Sequence, residues 1–481
     1  MRRFEVYDTL SRETRLFVPI VPPKVGLFVC GLTPYDNAHI GHGKVAVTFD
    51  VVARALRRWG YRVFYVQNVT NIDDRLIARG GESGTDPLVL ADRHISAWFA
   101  EMDRLGVRSV NYYPYATDYV PEILAQIRTL IERGLAYEAR GSVYYDIAKF
   151  PRYGALSGQK LEALRPGARV APEPGKRAPG DFVLWKAATP GEPTWEAPWG
   201  PGRPGWHIED TAITVRLFGP RYDLHGAGLD LKFPHHEAEI AQAEGTTGES
   251  PLVNFWMHVG LLTMKGEKMS KSVGNVVGLS DAVDRFGPGV VRFYYLNAHY
   301  RSPLDFVAGR SLEEATEAYN SLDSAAGRLR SARSSAPPEG SGDVLEASLE
   351  TAANDTVEHL DEVLSHDFNT REAIALLFGW SKQLTEGVAG PERLSGESLD
   401  TLLAPFDWAA EVLGLFGAAD SSDGGGSLGE VVQIALDARA RARERGDFAE
   451  ADRIRTELAA SGIRIEDHGT TTRWRLVGSG G

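Results

Sequence analysis

The apolar run Lys24-Val25-Gly26-Leu27-Phe28-Val29-Cys30, closed by Gly31, is short and continuous, which predicts a buried strand. After a loop containing Pro34 and Asn37, Val45, Phe49, Val52, Ala53 and Leu56 recur at helical spacing up to Gly60. Arg62-Val63-Phe64-Tyr65-Val66-Gln67 reads as a second strand. Strand, helix and strand within about 45 residues form a βαβ unit, whose right-handed crossover implies a parallel sheet of the doubly wound α/β class.

Beyond it, a helical stretch is predicted from about Tyr113 to Tyr153, leading into strand-like Ser142-Val143-Tyr144-Tyr145. From Leu161 to Gly205 the chain is rich in Pro, Gly and Trp. That region reads as an insertion crossing the two halves of the sheet, because Trp185, Trp195 and Trp199 need partners to bury against. Residues 331–342 look like a linker or exposed loop. Helical patterns follow around Leu349–Leu364 and Ala373–Leu384, and the flexible piece 421–427 isolates a tail. In the tail, Asp447 and Glu450 fit a helix N-cap and its return contact, with Ala451, Ile454 and Leu458 on one face. Two short strands, Ile463–Ile465 and Thr472–Leu476, complete it, and there is no internal repeat.

Composition narrows the class. The 481 residues carry 52 Lys and Arg against 65 Asp and Glu, a net charge of −13. With 43% hydrophobic and 24% charged residues, the chain is neither disordered nor collagen-like. A single cysteine excludes an intramolecular disulfide framework and a thiolate-rich zinc knuckle. The two arginines after Met1 precede no apolar run, and no segment reaches the roughly 20 apolar residues of a membrane span, so a soluble, cytoplasmic protein is expected. The acidic balance argues weakly against nucleic acid, although net charge says little about local patches.

Two motifs carry the chemistry. His39-Ile40-Gly41-His42 stands where the first strand's loop meets its helix, beside backbone N–H groups and a positive dipole end. Gly41 lets a planar base approach, and two imidazoles can hydrogen-bond nucleotide phosphates. Far downstream, Lys268-Met269-Ser270-Lys271-Ser272 lies between Gly266 and Gly274. Two lysines and two hydroxyls in such a loop suit a pyrophosphate whose charge grows in a transition state. Either motif alone could be ordinary surface; the pair, in this order on a parallel α/β fold, resembles the HIGH and KMSKS sequences of class I aminoacyl-tRNA synthetases.

The resemblance narrows to the cysteinyl-tRNA synthetase family through residues 28–36, 65–74, Gly205-Trp206-His207-Ile208-Glu209, Phe233-Pro234-His235-His236-Glu237, 298–306 and the tail run 450–455. It covers essentially the whole chain. It implies a Rossmann catalytic domain in two halves, 1–110 and 205–310, around an inserted connective region, 111–204. An α-helical tRNA-binding bundle, 311–420, and a small α+β anticodon-binding module, 428–481, would follow. It further implies ATP-dependent activation of an amino acid to an aminoacyl-adenylate and transfer to tRNA. His39, His42, Lys268 and Lys271 would be catalytic. Gly41, Gly228, Asp230, Ser270 and Ser272 would bind ATP with Mg²⁺, and Thr70, Trp206 and His207 would line the amino-acid pocket. The family's usual triple glycine is here Gly226-Ala227-Gly228. The protein is expected to be monomeric.

In that family zinc binds the substrate thiolate directly, held by two cysteines, a histidine and a glutamate. Carried over, the ligands are Cys30, Asp210, His235 and Glu239, with Asp210 in place of the second cysteine. Three readings stay open. Zn²⁺ persists on a harder ligand set; the metal is lost and Asp210 with Glu239 forms an acidic pocket; or Cys30 is a small buried apolar residue and Asp210 a helix cap. Alternatives also remain for the activity: charging of a non-cysteine amino acid, transfer to a small amine as in the paralogous cysteine:glucosaminyl-inositol ligase, or a catalytically inactive binding paralogue. Arg439, Arg441, Arg443 and Arg445 in the tail favour tRNA, since arginine clusters suit phosphate contact.

Overall fold

The computed structural model describes residues 1–159, 175–264, 266–268, 276–334, 336, 344–387, 394–416, 435–436, 439–440, 442–443, 445–460, 463–468 and 471–476. Strands β1 (Glu5–Asp8) and β2 (Glu13–Leu16) form a small antiparallel ribbon. Next come β3 (Lys24–Leu32), α1 (Ile40–Arg58), β4 (Arg62–Val69), α2 (Asp74–Ser83) and α3 (Pro87–Arg104). With β9 (Tyr222–Gly228) and β10 (Val253–Val259), they build an all-parallel sheet in the order β10-β9-β3-β4. Tyr112 and Tyr115 extend it by parallel bridges to Val66 and Val69 of β4. In chain order that is 3-2-1-4-5, the doubly wound arrangement, whose switch point lies between β3 and β9. Both faces of β3 are covered: Leu27 and Val29 belong to one core and Phe28 and Cys30 to another. Such double burial explains a continuous apolar run in place of alternation. At Gly226 a Cβ would lie 2.2 Å from the Phe49 ring, so α1 can press onto β9 only because that residue is glycine.

The helix expected between 113 and 153 is shorter. Helix α4 spans Val120–Glu132, with Pro121 in its first turn and Gly134 at φ 70 just beyond its end. Residues 112–115 pair with the sheet instead, and the remainder feeds an antiparallel one: β5 (Ala136–Ala139), β6 (Ser142–Tyr145), β7 (Phe182–Ala187) and β8 (Gly202–Pro204). This small sheet buries Trp185 completely, with Trp199 edge-on at 6.2 Å. Two further helices, α5 (Ile208–Phe218) and α6 (His235–Thr247), then cover one face of the parallel sheet, adding to the core that holds Cys30.

After β10 come the hairpin strands β11 (Leu262–Met264) and β12 (Glu267–Lys268), helices α7 (Leu279–Phe286) and α8 (Pro288–Leu296), and β13 (Leu304–Asp305). The bundle is α9 (Ser311–Ser334), α10 (Val344–Ser365), α11 (Thr370–Gly387) and α12 (Gly396–Trp408). Residues 331–334, expected in a linker, are the last turn of α9, where Ala332 is buried and Arg333 pairs with Asp400 at 2.6 Å. Most of that expected linker, and the piece 421–427, lie outside the described residues. The tail has a helix, Phe448–Ala460, and an antiparallel hairpin, β14 (Ile463–His468) and β15 (Thr471–Leu476). Asp447 caps that helix by accepting from the Glu450 N–H at 3.1 Å, but the Glu450 carboxylate turns to Arg453 at 2.7 Å and makes no return contact. Among the described residues no helix is long and apolar enough to cross a membrane.

Two buried polar knots join core and bundle. Asp50 of α1 accepts from Arg292 and Arg54, each at 2.8 Å, and from the Ser109 hydroxyl at 2.7 Å. Arg292 also donates to the Leu413 carbonyl and, at 2.9 Å, to that of Leu105. Asp361 of α10 accepts from both Trp59 and Trp408 indoles, at 3.0 and 3.1 Å, and from Arg58.

Candidate active site

The described candidate side chains gather toward the carboxyl edge of the sheet, around the switch point, where ligands bind in open α/β folds. His39 is the N-cap of α1: its Nδ1 accepts from the Gly41 N–H at 3.1 Å, while His42 Nδ1 accepts from the His39 N–H at 3.2 Å. The two rings stack at 3.8 Å. With both Nδ1 atoms accepting, each neutral ring carries its proton on Nε2. The motif thus offers two imidazole N–H donors at a helix N-terminus, an arrangement suited to phosphate oxygens. At Gly41 a Cβ would lie 2.9 Å from the His39 ring, so glycine keeps that ring in place.

Cys30, near the end of β3, faces a cluster of buried donors. Its Sγ lies 3.4 Å from Asp210 Oδ2 and 3.9 Å from Glu239 Oε1. His235 Nε2 sits 2.9 Å from Asp210 and 3.1 Å from Glu239, joined to the latter by the i,i+4 spacing of α6. The four residues expected to form a ligand set are therefore brought together. Two others join them: His225, midway along β9, and His236 place Nε2 atoms 3.3 and 3.2 Å from Cys30 Sγ. Among the described residues both Cys30–Asp210–His235–Glu239 and Cys30–His225–His236–Glu239 could hold a metal, each with ligand atoms within 4.8 Å of one another. Asp210 is not a cap: it lies inside α5, whose N-cap is His207, and it accepts from the Asn68 amide.

Electrostatics fit a cation. Burial, then the Asp210 and Glu239 carboxylates, push the Cys30 thiol well above its ordinary value. Burial, then Asp210, raises the Glu239 carboxyl in the same way. Burial keeps His225 and His236 neutral, the form in which imidazole binds metal. Glu239 Oε2 is buried with no hydrogen-bond partner. A divalent ion would give that oxygen a partner and compensate the buried acids. Outer contacts fix the rings: His225 Nδ1 is 2.6 Å from the Tyr222 hydroxyl, His236 Nδ1 is 2.9 Å from His258, and His235 Nδ1 is 2.9 Å from His207.

Trp206 stacks on His235 at 4.6 Å and forms a wall of a cleft of about 250 Å³, with Thr33, Asp74, Lys186, Arg203 and His207 around it. The cleft lies between core and insertion, latched by Asp74 to Lys186 at 2.8 Å and to Arg203. Thr70 is buried and donates to Glu209, one shell behind the cluster. Gly228 and the exposed Asp230 follow at the end of β9. Lys268 lies on β12; Ser270, Lys271 and Ser272 fall outside the described residues. Of the tail arginines, Arg439 is buried, Arg443 and Arg445 are exposed, and Arg441 is outside the described residues.

The sequence reading gave no site role to His225, His236, His258, Asn68 or Glu209, although Asn68, Glu209 and His236 stood in runs that carried the resemblance. One signal existed: five of the 12 histidines (207, 225, 235, 236, 258) fall within a 52-residue stretch.

Solved structures place the fold among class I aminoacyl-tRNA synthetases. A Mycobacterium tuberculosis methionyl-tRNA synthetase bound by methionyl-adenylate matches with a TM-score of 0.60 over 81% of this chain and 92% of its own. The LeuRS–tRNA–LeuAMS ternary complex of Agrobacterium radiobacter K84 matches at 0.57 over 84% and 86%. At 14% and 13% identity these likenesses concern the fold alone. The family model for the class I (C) catalytic domain of tRNA synthetases matches residues 16–317, a DALR domain 359–417, and the cysteinyl-tRNA ligase anticodon binding domain 426–475. The chain belongs to the cysteinyl-tRNA synthetase family. Cysteine--tRNA ligases of Laribacter hongkongensis and Methylococcus capsulatus are each 44% identical to it, over 98% of this chain and 99% of theirs.

Proposed function

We propose that this protein joins cysteine to tRNA at the expense of ATP, as a single chain in the cytoplasm. In the first step the amino acid's carboxylate attacks the α-phosphate of ATP, and pyrophosphate leaves. His39 and His42 donate Nε2–H to phosphate oxygens as charge develops, and Lys268 and Lys271 hold the leaving pyrophosphate, with Mg²⁺ on the ATP phosphates. Gly41, Gly228, Asp230, Ser270 and Ser272 cradle the nucleotide. No general base is needed, since a carboxylate is nucleophilic once aligned. In the second step a ribose hydroxyl of the tRNA terminus attacks the acyl carbon and AMP departs. The bundle 311–420 and the module 428–481 hold the tRNA, while the two core halves, 1–110 and 205–310, flank the insertion 111–204, whose first residues, 112–115, pair with the core sheet.

The observation that carries this reading is the buried donor cluster under the Trp206 cleft, beside the imidazole-capped helix. Zn²⁺ held by Cys30, Asp210, His235 and Glu239 would supply a soft Lewis acid that prefers a thiolate to a serine hydroxyl. Trp206 and His207 orient the amino acid over it, and Thr70 acts from behind through Glu209. The C-terminal match supports tRNA over a small amine as acceptor.

The test is ATP–pyrophosphate exchange across the amino acids, with metal analysis on the same sample. Exchange with cysteine and about one zinc per chain is expected; exchange with another amino acid, or none, defeats the reading. Asp210→Cys restores a softer ligand and is expected to raise zinc affinity by about tenfold or more, together with preference for cysteine over serine. No change in either would show that position 210 is not a ligand.

A further inference from the structure

The hairpin carrying Lys268 is held at both ends by one helix. On its exit side, residues 277–278 pair with the backbone at the start of α1: the Ile40 N–H donates to the Val277 carbonyl at 3.1 Å, and the Leu279 N–H to that of Ala38 at 3.0 Å. On its entry side the grip is a side chain. Lys44, two residues after His42, sends its Nζ to the Gly260 carbonyl at 2.7 Å and the Ser302 carbonyl at 2.9 Å. Gly260 lies two residues before β11, and Ser302 two residues before β13, which pairs in parallel with β11. The two segments are crowded there: a Cβ on Gly260 would lie 2.4 Å from the carbonyl oxygens of Arg301 and Ser302. Beyond this bolt, Asp305 fixes the hairpin turn, accepting from Thr263 at 2.7 Å and from the Gly266 N–H at 3.1 Å. The strand β12 then pairs Lys268 with Thr263.

We propose that Lys44 is a positioning residue for adenylate formation: its ammonium bolts the base of the hairpin that carries Lys268 to the phosphate-binding helix, so that the imidazole donors and Lys268 meet the same triphosphate in register. The inference rests on the assignment of Lys268 and Lys271 to the leaving pyrophosphate. Its chemistry is unusual for mere packing. The residue is 1% exposed and its two hydrogen-bond acceptors are neutral carbonyls, and burial brings the ammonium down to about 8. A cation kept there costs stability that a methionine of similar shape would not. Correct spacing of groups around a reacting triphosphate accounts for keeping it, because misplacement by about 1 Å can cost a hundredfold in rate.

The experiment compares the two half-reactions in Lys44→Met, Lys44→Arg and Lys271→Ala. Lys44→Met is expected to lower the kcat of ATP–pyrophosphate exchange roughly 10- to 100-fold, with KM for ATP and cysteine within about threefold. Transfer from preformed adenylate to tRNA should proceed at the parental rate, because pyrophosphate has already left. Lys44→Arg, which keeps the charge and can donate to both carbonyls, should stay within about fivefold of the parent. Lys271→Ala should lose exchange by about 100-fold or more. Exchange within threefold in Lys44→Met, a parallel loss of both half-reactions, or an arginine variant as damaged as the methionine one each overturns the proposal. If Lys271→Ala also retains exchange, the hairpin assignment itself falls. If Lys271→Ala is crippled while Lys44→Met is not, only the role of Lys44 does.

Discussion

Cys30→Ser is expected to leave the chain unable to hold zinc and to depress cysteine-dependent exchange roughly a hundred- to a thousandfold. The substitution is nearly isosteric, so the buried end of β3 should keep its packing. The hydroxyl, however, is a poor zinc ligand where the thiolate is a good one. Cys30 is common to both candidate ligand sets, as is Glu239, so neither can compensate for its loss. Zinc content by elemental analysis, exchange rate and circular dichroism on one preparation check it. A metal-free Cys30→Ser protein with near-parental exchange would show that the ion has no part in activation.

Arg292→Met should lower stability by about 3–5 kcal/mol, the usual cost of removing one partner from a buried ion pair. It strips the Asp50 carboxylate of its most buried cation and the Leu413 carbonyl of two donors. Urea titration followed by tryptophan fluorescence reads the effect; an unchanged midpoint would mean the knot carries no net stability. The same knot sets an acid limit. Burial alone would raise the Asp50 carboxyl, but Arg292, Arg54 and the Ser109 hydroxyl outweigh it and hold it below its ordinary value. A carboxyl depressed in the folded state stabilises the fold above its unfolded value and stops doing so as pH falls through the folded one. The loss should therefore set in below about pH 4, and Asp50→Asn should abolish that part of the acid transition.

Much of this was legible because burial writes itself into sequence. The run 24–30 and the strand 142–145 were readable from apolar or aromatic continuity, and α1 from its 3.6-residue period. The expected metal ligands were placed by motif, and the fold brings all four together from β3, α5 and α6. Other features left weaker traces. The fifth sheet strand, around Tyr112–Tyr115, is only a few residues long and contains Pro114, so no period shows. The final turn of α9 looked like linker because Ser-Ala-Arg-Ser is polar, yet Ala332 is buried and Arg333 is anchored by an aspartate 67 residues away. His236 was hidden beside His235: both fall on the Glu239 face of α6, at i,i+3 and i,i+4, and the sequence reading used only the second. Lys44 gave no hint at all, since a lysine one turn into a helix usually faces water, and only the tertiary structure shows that it does not.

Helix α1 has 19 residues and so measures about 28 Å at roughly 1.5 Å per residue. One end carries the two imidazoles; at the other, Arg58 and the adjoining Trp59 are hydrogen-bonded to Asp361 of the bundle. Midway, Asp50 is clamped to Arg292. Mechanically this is a stiff rod pinned at its far end, at its centre and, through Lys44 and the Ile40–Val277 hydrogen bond, close to its nucleotide-facing tip. Load applied to the bundle has a direct path along the rod, without passing through the insertion or the sheet. Any tilt passed along the rod would therefore carry the two imidazoles and the hairpin base together.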